Sequence, residues 1–176
     1  MISLTKKSKA AWAVALSLVL LVTLAAPCLA WKSSRLGVSF IPPRHWKQID
    51  DEQHEATFIA PEEVGHRSVI SLKVVELEAA EPEGKMADEL SDKYMAALQQ
   101  RFTHFKLIGE TDTKVNGHWC HRLTFRAQED EHHMQMTNVL FIKGKRAYSF
   151  LYMSKPDTYN KHVKSFDKMV KTVNFI

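Results

Sequence analysis

Residues 36–41, LGVSFI, set Leu36, Val38 and Phe40 on one side of an extended chain, and Pro42-Pro43 ends the run. This pattern predicts a strand. Residues 54–60 predict a second strand, halted by Pro61, and the β-branched run RSVISLKVVEL over 67–77 predicts a longer third. EPEG at 81–84 reads as a turn leading into a helix. From residue 85 the period changes. Met86, Leu90, Tyr94, Ala97, Leu98 and Phe102 recur at three- and four-residue spacing, so 85–102 is a helix with one buried face. Glu89 and Lys93 are placed to pair on its wetter side.

Four strands follow at hairpin spacing, over 106–115, 118–126, 133–142 and 146–153. Asn116-Gly117 joins the first two, because both residues tolerate the positive φ of a type I′ turn. Residues 127–131 form a longer charged loop, and Lys143-Gly144-Lys145 a tight turn. The run YSFLYM over 148–153 is apolar enough to be covered on both faces. A closing helix over 158–171 gathers Tyr159, Val163, Phe166, Val170 and Val173 on one side, with Lys161, Lys164, Lys168 and Lys171 almost opposite. Strands, helix, four antiparallel strands and helix make an α+β domain: a central antiparallel sheet of about six strands flanked by helices.

The amino terminus stands apart. Lys6, Lys7 and Lys9 precede an uncharged apolar run over 10–26, and Cys28 and Ala30 supply small residues ahead of Trp31. This predicts a secretory signal peptide over 1–30, cut after Ala30, and a periplasmic or secreted single domain over 31–176. Lipidation at Cys28 competes with that reading, although Pro27 is a poor neighbour for it; retention of the leader as an anchor is a third possibility.

Removing the leader changes the charge. The chain has 24 Lys and Arg against 20 Asp and Glu, and the three leader lysines leave 21 against 20. A near-neutral domain gives little support to nucleic-acid binding. The remaining charge is segregated: 13 acids against three bases over 50–92, and eight bases against two acids over 143–171. It either pairs internally or steers a partner.

Two ends of the domain resemble the PsbP-like superfamily, which takes in bacterial periplasmic DcrB-like domains and Mog-type proteins. At the start, Gly37-Val38-Ser39-Phe40-Ile41-Pro42-Pro43 with Trp46 is similar to the family's opening strand and following Gly-Trp, with His45 standing in place of that glycine. Near the other end, Ser165-Phe166 and Val173-Asn174-Phe175 resemble its closing helix and short final strand, and residues 143–148 its penultimate hairpin. The resemblance implies an α/β/α sandwich and a non-enzymatic accessory or assembly domain in a bacterial exported protein. It carries over no catalytic residue and no cofactor.

The reactive-looking residues lie in NGHWCHRLTF over 116–125. Strand alternation puts Trp119, His121, Leu123 and Phe125 on one face and His118, Cys120, Arg122 and Thr124 on the other. A transition-metal site needs three or four converging ligands, and His118 and Cys120 supply two. His132 and His133 fall at the far end of the neighbouring strand, about 20 Å or more away. His104, beyond the first helix, is the remaining candidate. Without the leader Cys120 is the one cysteine, hence a free thiol or an intermolecular bridge. No phosphate loop, G-x-S-x-G, H-E-x-x-H or CxxC occurs. Nine histidines, all beyond the leader, charge as pH falls through about 6.5. The expectation is a monomeric, non-catalytic domain with no cofactor that binds a protein at the cell envelope. The lysine row is its candidate basic face, toward an acidic partner or an anionic membrane. A small-ligand or metal-binding domain is the alternative.

Overall fold

Asn116 and Gly117 turn the chain with φ of 49° and 82°, and Val115 pairs with His118 across them. That hairpin belongs to a sheet seen in a computed structural model, which describes residues 29–61, 67–81, 88–129 and 131–176. The elements are β1 (Trp31–Ser33), β2 (Val38–Phe40), β3 (Lys47–Ile49), β4 (Ala56–Ile59), β5 (Val69–Glu81), α1 (Asp88–Arg101), β6 (Thr103–Val115), β7 (His118–Glu129), β8 (His132–Ser154), α2 (Tyr159–Val170) and β9 (Asn174–Phe175). The leader through Cys28, the 82–84 part of the expected turn, and Met86 lie outside the described residues.

The main sheet is antiparallel, in the order β3-β4-β5-β8-β7-β6. β8 is an unbroken extended run that doubles back on itself. Its first half pairs with β7, from Glu129–His132 to Cys120–Phe141, and its second half pairs with β5, from Val69–Met153 to Glu81–Gly144. Asn138 and Ser149, eleven residues apart, are joined by a side-chain hydrogen bond of 2.6 Å, so the reversal falls at Lys143-Gly144, where Gly144 has φ 59°. The tight turn expected there is present. The loop expected over 127–131 is shorter than its charge suggested: β7 and β8 pair out to Glu129 and His132.

β1, β2 and β9 form a second, three-stranded sheet. The motifs at the two ends of the domain therefore pair with each other, Val38 with Phe175 and Ser39 with Asn174. Gly37, at φ 70°, accepts a bond from Ile176 N at 2.9 Å, and an added Cβ would stand 3.4 Å from the Ile176 carbonyl. β1, β3 and β9 are only two or three residues long, too short for periodicity to reveal.

Alternation sorts the core into two layers. Val38, Phe40, Phe58, Ile70, Leu72, Phe141, Phe150 and Tyr152 meet Phe166, Met169 and Val170 of α2 on one face. Leu123, Phe125, Ala127, Met134 and Met136 meet Leu98 and the adjoining Phe102 at the end of α1 on the other. Each large side chain buried this way contributes about 1.5–3 kcal/mol. The result is an α+β domain with one helix on either face of the sheet. Acidic and basic segments meet where Arg146 Nε lies 3.2 Å from Glu76 Oε1, one instance of internal neutralisation.

Candidate functional site

The NGHWCHRLTF stretch divides as alternation requires. Cys120 is buried in the α2-side core beside Phe141 and Val139, and burial pushes its thiol up to about 11. It is a free cysteine and, in the fold, an inaccessible one. His118 packs its ring edge-on to Phe175 at 5.0 Å. His104 is the second residue of β6, with φ 52°, and lies at the opposite end of the β6–β7 pair from His118. His104 lies beyond the Lys106 pairing position, and nine residues of strand separate that position from Val115, about 30 Å, so the three candidates do not converge. His133 pairs with Gln128, farther from His118 than expected. Among the described residues no group of three His, Cys, Asp or Glu is arranged to hold a metal ion.

His121 faces the other way and is built into a polar cluster that periodicity did not reveal. It is buried; its Nδ1 bonds Asp112 Oδ1 at 2.8 Å across the β6–β7 pair. Glu110 Oε1 stands 3.1 Å from Nε2, near enough to attract it, yet Nε2 lacks an aligned hydrogen bond. Ser91 of α1 donates to the same Glu110 oxygen at 3.3 Å. The two carboxylates sit at different ring nitrogens, so they hold the imidazole instead of sharing one ion.

The larger feature lies beside this cluster, between α1 and the sheet. Two adjoining cavities share Val75, Tyr94 and Ser149 as a common wall. One, of about 240 Å³, is lined chiefly by Val75, Leu77, Leu90, Leu140, Ile142 and Ala147. The other, of about 290 Å³, has His54, Lys73, Arg101 and Asn138 among its walls and no carboxylate. Sheet register explains the division. Lys73 pairs with Ser149, which bonds Asn138, so these three make a polar row across neighbouring lanes. One step nearer the β8 reversal come Val75, which pairs with Ala147, and Leu140, an apolar row on the same face.

The polar row is incompletely bonded. Asn138 Nδ2 donates to Ser149 Oγ, which also bonds the Tyr94 hydroxyl, and burial raises that phenol to about 12. Asn138 is 2% exposed and its Oδ1 has no partner. A buried amide oxygen left bare costs about 1–3 kcal/mol. Sequence offered one clue, an Asn inside the apolar stretch TNVLFI.

On the opposite face, α2 buries Tyr159, Phe166, Met169 and Val170 and leaves Lys161, Lys164 and Lys168 exposed, with Lys171 at its end. No helix among the described residues is long and apolar enough to cross a membrane.

Comparison with solved structures places this architecture. The solution structure of cyanobacterial PsbP (CyanoP) from Synechocystis sp. PCC 6803 superposes with a TM-score of 0.62 at 14% identity, covering 84% of this chain and 92% of that one. The chain has the PsbP-like fold. LpqN of Mycobacterium tuberculosis, involved in cell envelope biogenesis, matches with a TM-score of 0.63 at 6% identity, over 83% of this chain and 88% of its own. PA94 of Pseudomonas aeruginosa, a protein of unknown function, matches with a TM-score of 0.51 at 15% identity, over 82% and 94%. No family model and no curated protein sequence matches. His45 adopts φ 67°, the backbone that glycine takes freely.

Proposed function

We propose that the chain is an exported, non-catalytic accessory domain of the cell envelope that acts by binding a protein partner. The observation that carries this reading is the lysine row of α2. Lys161, Lys164, Lys168 and Lys171 are exposed along and just past a helix whose apolar side is buried. A same-sign row at one-turn spacing raises the rate of encounter with an acidic surface. The Cys120 thiol is packed away in the core and held protonated, so it is no part of this surface. The fold is shared with PsbP and with LpqN, the latter involved in envelope biogenesis. The test is crosslinking and pull-down from envelope fractions with the natural chain and with all four lysines changed to Glu. A specific partner captured by the first and lost by the second is expected. Equal recovery, or association with anionic vesicles alone, would sink the protein-partner reading.

A second reading rests on the cleft. A bare, buried Asn138 Oδ1 beside two adjoining cavities favours a small-ligand site between α1 and the sheet. Native mass spectrometry after mild purification tests it. A stoichiometric adduct supports ligand binding, and a bare mass counts against it.

A further inference from the structure

The α1 cleft has a polarity gradient, and that gradient specifies a ligand. We infer that it binds a single-chain amphipath: an alkyl tail ending in a carboxylate, with a hydroxyl close to that head. This deepens the small-ligand reading of the cleft and rests on it.

The tail end is fixed by Leu77, Leu90, Leu140, Ile142 and Ala147, whose side chains leave about 240 Å³ of space. Lys93 is the charged residue on that wall, and Glu89 already holds it at 2.7 Å. Val75, 47% exposed, carries the apolar surface out to the common wall. An exposed valine beside an apolar cavity is surface that an alkyl chain would remove from water, at about 25 cal/mol per Å².

The head end is fixed by charge. Lys73 and Arg101 line the second cavity with His54 and face no carboxylate in its wall. Arg101 lies over the Phe102 ring, 5.0 Å from its centroid, which orients the guanidinium beside the cavity. His54 is bonded through Nδ1 to Asp51, so Lys73 and Arg101 are the cations left to meet an anion. A carboxylate there gains charge-assisted bonds.

The hydroxyl follows from Asn138. Its amide nitrogen is committed to Ser149, and its buried oxygen can only accept. A carboxylate offers no donor, so a plain anionic head leaves this oxygen unsatisfied. Asn138 lines the cavity, and once its amide turns toward that space a hydroxyl one or two carbons from the carboxylate donates to the oxygen while the carboxylate reaches Lys73, which lies across the Ser149 lane in the same row. Adjacent lanes are about 4.8 Å apart, so the span from Asn138 to Lys73 is about 10 Å between backbones, within reach of a lysine side chain and a short head group. The two cavities together reach the range of about 300–1,000 Å³ usual for small-molecule sites.

The experiment is titration of the full chain, exported and purified without detergent, with 3-hydroxydodecanoate and with dodecanoate, both below their micelle concentrations. Calorimetry is expected to show one site, with dodecanoate about tenfold weaker because Asn138 stays bare. Lys73→Glu with Arg101→Glu should weaken both ligands at least about tenfold. Ala147→Phe, at a partly exposed position that tolerates bulk, should fill the tail cavity and block both. Asn138→Leu should equalise the two ligands, and so should Asn138→Ala, the smaller change that covers the case in which the leucine variant does not fold. Equal affinities in the natural chain, or binding indifferent to Ala147→Phe, would overturn the assignment. Native mass spectra separate this failure from that of the cleft itself. A retained adduct of another class, lost in Ala147→Phe, sinks the hydroxy-carboxylate and keeps the cleft. No adduct and no binding sink both.

Discussion

Asn116, at the tip of the β6–β7 hairpin, donates through Nδ2 to the carbonyl oxygen of Val173 at 2.8 Å, 57 residues further along the chain. The same nitrogen donates to the Lys171 carbonyl at 2.9 Å. Lys171 is the C-cap of α2, whose carbonyl the helix leaves without an internal partner, and Val173 lies in the link to β9. One residue therefore turns the hairpin and caps the far helix. Asn116→Gly should keep the turn and lose both bonds, costing about 1–2 kcal/mol. Asn116→Ala should cost about 1 kcal/mol more, because alanine resists the left-handed backbone. Urea unfolding of the two variants checks the order; equal costs would contradict the double role.

His45→Gly should stabilise the fold. A histidine at φ 67° carries strain of about 1 kcal/mol that glycine relieves, partly offset by the freedom glycine adds to the unfolded chain. Trp46, whose ring meets His162 of α2 edge-on at 5.5 Å, should keep its packing. The check is a rise in unfolding midpoint of a few degrees; a fall would show that the His45 side chain holds the turn.

Cys120 should resist thiol reagents in the folded chain at pH 8 and react promptly in denaturant. Its acidity, pushed up to about 11 from an ordinary value of 9.0, also sets a sign. The unfolded thiol ionises first as pH rises past 9.0, so the stability linked to Cys120 is complete below that pH and is lost between it and about 11. Cys120→Ala should flatten this part of the pH profile. Rapid labelling of the native chain would contradict the burial.

Asp51 behaves oppositely. Burial pushes its carboxyl up, but bonds from the Gln53 N–H at 2.9 Å, Thr57 at 2.8 Å and His54 at 2.7 Å outweigh that and hold it below its ordinary value. Its contribution is present above pH 3.8 and is lost as pH falls from there through the lower folded value. Asp51→Ala should cost about 1–3 kcal/mol at neutral pH and progressively less in acid. A loss independent of pH would exclude the carboxylate as its source.

The long elements were legible because their periodicity reflects one buried face. Tyr159, Phe166 and Val170 of α2 and the alternating Leu123, Phe125 and Ala127 of β7 declare themselves in that way. The β6–β7 turn was legible because Asn-Gly is a chemical signature of positive φ. The cleft was not, since it depends on lateral register: Lys73, Ser149 and Asn138 are 76 and 11 residues apart in pairs and meet only when β8 doubles back beside β5. His121 was misleading for a related reason. It shares a face with Leu123 and Phe125, but Asp112 and Glu110 arrive from β6, where they look like ordinary surface acids.

The partner-binding claim is tested most directly by site-specific photo-crosslinking. A photoreactive residue would replace Lys164 or Lys168 on the exposed side of α2, and Gln99 or Gln100 on the exposed side of α1. In envelope fractions, the two α2 positions should give one discrete protein adduct and the α1 positions none. No adduct at Lys164 or Lys168, or the same diffuse pattern at all four sites, would contradict a partner bound through the lysine row.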